Sequence, residues 1–105
     1  MTPLEALTAA RERISTPERW TQGAEARDAE GNSVEPWGAK AVRWCMIGAI
    51  QHVSLIIIFR PFTLLVRAIG DPLADIAEWQ DNPERTHTDV LATFDRAIEL
   101  ARAEQ

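Results

Sequence analysis

From Trp37 to Gly70 this chain carries no acidic residue and four basic ones, Lys40, Arg43, Arg60 and Arg67, and most of what remains is apolar. Residues 1–36 carry seven acids and four bases, and residues 71–105 carry nine acids and three bases. An apolar middle between acidic flanks suits a central element that is packed by surrounding helices, whose carboxylates reach its few cations. The longest apolar stretch, Val53 to Val66, contains Arg60 and Pro61 and falls short of the roughly 20 residues a spanning helix needs. It reads as core or interface, and no membrane is expected. Four scattered cations in a chain of net charge −5 do not make a phosphate-binding surface, which argues against nucleic acid as a partner.

At 105 residues the expectation is a single domain, 1–105, able to remove roughly two-thirds of its unfolded surface from water. Apolar residues at 46% and charged residues at 26% are those of an ordinary globular protein, so folding needs no partner. With one cysteine, Cys45, there is no intrachain disulfide and no cysteine-based zinc site. The start, Met1-Thr2-Pro3-Leu4-Glu5, has neither a basic nor an apolar signal region. Both observations point to a reducing cytoplasm.

Helix signals punctuate the chain. Thr2-Pro3-Leu4-Glu5 is an N-cap with proline at the first helical position and a capping box, and Leu4, Leu7, Ala10 and Ile14 then share one face until Ser15-Thr16-Pro17. From Trp20 to Pro36 the helical period is lost. Asp28-Ala29-Glu30-Gly31 reads as a tight turn, predicting a short hairpin within 24–35, residues 24–27 against 32–35. A second helix is expected to begin between Trp37 and Ala39 and to run through Cys45 to Val53. Ile56 to Phe59 suit strand as well as helix, so the state of 55–60 stays open until Pro61 forces a break. A third helix should stop at Gly70. Asp71-Pro72 repeats the cap-plus-proline start and predicts a fourth helix to about Gln80, ended by Asn82-Pro83. Thr86 with Asp89 opens a fifth, whose stripe is Val90, Leu91, Phe94, Ala97, Ile98 and Ala101. The expected architecture is mostly α, about five helices around a central apolar helix.

Several separated motifs then line up. Trp20-Thr21-Gln22-Gly23, Ala26-Arg27-Asp28 with Gly31, Arg43-Trp44-Cys45 with Gly48-Ala49, Trp79-Gln80-Asp81, and the closing 85–97 resemble, in that order, a family of small bacterial and phage proteins grouped as a domain of unknown function. The likeness spans about Leu4 to Ala101 and implies one compact domain, but no activity. Gln80 departs from the Asn of the family's Trp-Asn-Asp motif, and Ser54 to Phe59 is more apolar than the resemblance implies, hinting at a contact surface particular to this chain.

For chemistry, Cys45 is the only conventional nucleophile, and with His87 as base and Asp81 or Asn82 it could compose a cysteine hydrolase or transferase site. Against this, Cys45 should lie two turns inside its helix, beyond the dipole that activates a thiol, where an inert core cysteine is the plainer reading. His52 and His87 are read as a semi-buried core histidine and a solvated first-turn residue. The carboxylates of the 71–81 segment, Asp71, Asp75, Glu78 and Asp81, recur at helical spacing and could hold Mg²⁺ or Ca²⁺, although an amphipathic surface helix has the same pattern. Asp28-x-Glu30-x-Asn32 lacks the correctly placed glycine and the terminal glutamate of a calcium loop. Neither a metal nor another cofactor is therefore assigned. Four tryptophans and no tyrosine call for indole N–H partners, and Trp20, Trp44 and Trp79 could border a ligand pocket with Gln22, Arg27 or Asp28. A non-catalytic binding module, a homodimer through 54–65 or the partner of another protein, is the leading expectation.

Overall fold

The computed structural model describes residues 1–54 and 59–104, so the expectation for 55–58 lies outside the described residues. The chain forms α1 (Pro3–Arg13), a 3₁₀ turn at Pro17–Arg19, β1 (Ala26–Arg27), β2 (Arg43–Trp44), α2 (Met46–Val53), α3 (Arg60–Ile69), α4 (Ile76–Asp81) and α5 (His87–Ala103). The mostly helical architecture with a small antiparallel ribbon is as the sequence predicts. Both capping boxes form, Thr2 with Glu5 and Thr86 with Asp89, and Gly70 ends α3 in the left-handed conformation at φ 91°. α1 packs on α2, α3 and α5, and α3 lies along α5. The core they share includes Leu7, Ile14, Met46, Ile50, Leu64, Leu65, Val90 and Phe94, all essentially dry.

Three local expectations are corrected. The second helix does not begin near Trp37–Ala39 but at Met46, because the backbone before it is taken by other partners. Val42 N–H donates to Arg27 O at 2.9 Å and Cys45 N–H to Glu25 O at 3.0 Å, which draws Arg43–Trp44 out as a strand beside Ala26–Arg27. Residues 35–41 turn instead, through Gly38 N–H to Glu35 O and Ala41 N–H to Gly38 O, leaving Trp37 and Val42 exposed. Apolar periodicity lost here to long-range pairing.

The hairpin turn within 24–35 does form. Asp28 N–H bonds Asn32 O, Val34 N–H bonds Ala26 O, and Arg27 bridges Ser33. The ladder itself, however, runs from β1 to β2, in register Ala26 with Trp44 and Arg27 with Arg43. Lastly, Asp71-Pro72 does not start the fourth helix. Asp71 satisfies Leu73 N–H with its side chain and Ala74 N–H with its carbonyl, closing a turn, and Asp75 is the N-cap that receives Glu78 N–H. Two Asp-led starts compete within five residues, and the one that lets Ile76 and Gln80 point inward prevails.

Candidate functional site

The family-like motifs converge on one buried amide. Ile76 and Gln80 stand one helical turn apart on the inner side of α4, so the Gln80 side chain enters the core and is 1% exposed. Its Oε1 accepts from Trp20 Nε1 at 2.6 Å and from the Met46 backbone N–H at 3.1 Å, and its Nε2 donates to Asp81 Oδ1 at 2.7 Å. Around it, Gln22 Nε2 donates to the carbonyls of Gln80 (2.8 Å) and Asn82 (3.0 Å), and Asp81 Oδ1 also accepts from Gly23 N–H (3.0 Å). Three stretches far apart in sequence, 20–23, 46 and 79–82, are thereby tied around the Gln80 side chain. Both polar atoms of this amide are hydrogen-bonded, as a polar group in a dry interior requires.

Arg27 extends the same knot. Its guanidinium donates to Thr21 Oγ1, Gln22 O and Gly31 O at 2.9–3.0 Å, stitching the 20–23 loop to the 28–31 turn. Asp28 serves that turn, accepting from the backbone N–H groups of Glu30 and Asn32, and the Asn32 backbone bond holds its carboxyl below the usual carboxylate range. Trp44 lies elsewhere. Its Nε1 donates to Pro36 O at 3.0 Å, the same carbonyl that receives His52 Nδ1 at 2.8 Å, and the indole and imidazole rings are 4.7 Å apart. Trp79 is half-buried against the edge of the core, with the Arg85 guanidinium 3.7 Å from its ring centre and Arg85 Nε on its own carbonyl. Of the six residues considered for a ligand, Trp20, Gln22 and Arg27 come together, and they do so to hold the fold to itself.

The reactive candidates are engaged separately. Cys45 is the N-cap of α2, not a residue two turns within it, and its Sγ accepts from Gly48 N–H at 3.3 Å. A helix N-terminus favours thiolate, but here burial outweighs it: desolvation pushes the thiol up to about 11, further raised by Asp81 and Glu25 against the pull of two backbone N–H groups. The thiol is buried as the sequence suggests, but at the N-cap of α2 rather than two turns inside the helix. His87 donates from Nε2 to Ile14 O at 2.7 Å and lies tilted beside Trp20, 6.0 Å between ring centres, while Asp81 serves Gly23 and Gln80. The expected outcome of iodoacetamide treatment near neutral pH is accordingly slow labelling of native protein and rapid labelling after denaturation; fast native labelling restores Cys45 as a nucleophile.

The carboxylates of 71–81 divide their duties in the same way, Asp71 and Asp75 as turn and helix caps and Asp81 in the Gln80 knot. Among the described residues no group of three histidine, cysteine or carboxylate side chains is placed to hold a metal ion. Among them, too, no helix is long and apolar enough to cross a membrane. Outside the knot, α4 and the turn before it leave a surface groove of about 470 Å³, whose lining includes Asp71, Leu73, Asp75, Glu78, Trp79 and Arg85.

Sequence reasoning missed Gln80 as the hub. The signal was its position four residues after Ile76, on the stripe of α4 that turns inward, where a polar residue needs buried partners. No curated protein and no solved structure matches the chain. A family model does, over residues 1–100. The chain thus belongs to a family of unknown function, DUF6197.

Proposed function

We propose that this chain is a non-catalytic protein-interaction module that associates with a second copy of itself through the apolar stretch 54–65. The observation that carries the reading is Phe59, 78% exposed at the N-cap of α3, directly after Leu55-Ile56-Ile57-Ile58 in the sequence. A large aromatic side chain held in water beside four consecutive apolar residues is what a contact surface needs and what an isolated monomer is better without. The ionisable side chains that could do chemistry also favour this reading, since Cys45, His87 and Asp81 are each committed to bonds within the fold.

Size-exclusion chromatography with light scattering tests it. The native chain should run as a dimer at high micromolar concentration, and Phe59→Glu or Ile57→Glu should convert it to monomer with its helical content retained. A native chain that remains monomeric at millimolar concentration removes the proposal.

A further inference from the structure

The surface that continues from Phe59 changes sign halfway. Along α3 the exposed cations Arg60 and Arg67 share one carboxylate, Glu104, which leaves a surplus positive charge beside the half-buried Phe62 and Val66. Past Gly70, the groove at α4 sets Asp71, Asp75 and Glu78 against the single guanidinium of Arg85, a surplus of two negative charges, around Leu73, which is 91% exposed. A smaller groove of about 410 Å³, lined by Thr63, Val66, Arg67, Gly70 and Pro72, lies between them in sequence, where α3 ends and the turn before α4 begins. Among the described residues the two most exposed large apolar side chains, Phe59 and Leu73, therefore flank α3 at its two ends, one beside Arg60 and one in the acidic groove.

We infer that the occupant of this surface is a second copy of the chain, related by a two-fold axis near the Gly70–Pro72 joint, so that the basic face of α3 in each copy meets the acidic groove of the other. Two adjacent patches of opposite sign are self-complementary under such a rotation, which brings each onto its opposite and closes the assembly at two. A two-fold axis running along the line that joins the patches would instead set like charges against one another, which repel. The stretch from Trp37 to Gly70 holds no acid, so the carboxylates near the basic face come from the C-terminal part of the chain: Glu104 on Arg60 and Arg67, and Asp95 and Glu99 in the groove beside Arg67, which are already paired with Arg11 and Arg102. This inference rests on the self-association proposed above and adds its geometry.

Sedimentation equilibrium of the full chain in moderate salt separates the two. Arg67→Glu and Glu78→Lys are both changes of exposed side chains, and thermal melts should show each variant folded. Each alone should weaken the dimer at least tenfold by setting like charges together. The combined Arg67→Glu/Glu78→Lys chain should dimerise to within about threefold of the native one. If both single changes leave the dimer intact while Phe59→Glu dissolves it, self-association stands and the charge-paired geometry is overturned. Failure of the combined variant to recover overturns it too, and a monomeric native chain overturns both readings.

Discussion

Gly48→Ala should lower the stability of this protein by about 3 kcal/mol or more, a fall in unfolding midpoint of about 12 °C or more for a chain of this size. A methyl group at this position would lie 1.9 Å from the carbonyl oxygen of Glu25 and 2.8 Å from its carbon. Neither atom can retreat cheaply. The Glu25 carbonyl already receives Cys45 N–H at 3.0 Å, one residue before β1 pairs with β2, so moving it breaks the ribbon and the N-cap of α2 at once. Gly31→Ala is the informative contrast. Its φ of +86° strains an L-residue, but nothing lies within 4 Å of the added carbon, so about 1 kcal/mol is expected. Thermal denaturation followed by circular dichroism checks both, and a Gly48→Ala chain no less stable than Gly31→Ala shows that the β1–α2 approach is looser than described.

Gln80→Leu carries the next largest expectation, a loss of about 2–4 kcal/mol. Leucine keeps much of the volume but leaves two donors, Trp20 Nε1–H and Met46 N–H, without the acceptor they share. Orphaning a buried donor costs about 1–3 kcal/mol, and two of them face the same dry space. Gln80→Glu separates the acceptor from the donor. A carboxylate retains both bonds at Oε1 but meets Asp81 where the amide donated, so it should destabilise at pH 8 and recover as acid protonates one of the pair. Urea unfolding at pH 5 and pH 8 reads this directly. If Gln80→Leu unfolds at the same urea concentration as the native chain, the amide is not the hub we describe.

These two residues mark where reading the sequence stops being enough. Gly48 belonged to a recognisable motif, and Gln80 to another, yet neither motif says which backbone or which indole lies opposite. The partners are Glu25, 23 positions earlier, and Trp20, 60 positions earlier. The catalytic and ligand candidates fared likewise. Their residue types were visible, and three of the tryptophans do find polar or cationic partners, but which bonds each side chain makes follows from elements that meet only in the folded chain.

What the order of residues determined alone is the part governed by neighbours within a few positions. Thr2 with Glu5, Thr86 with Asp89, Gly70 after α3 and the apolar stripe of α5 act over one or two helical turns, and the interactions that make them effective are complete within that span. The start of α2, the choice of Asp75 over Asp71, the strand partner of β1 and the hub role of Gln80 were decided by tertiary structure. In each of these the local preference was nearly balanced, so a single long-range hydrogen bond or one side chain turned into the core was enough to tip it.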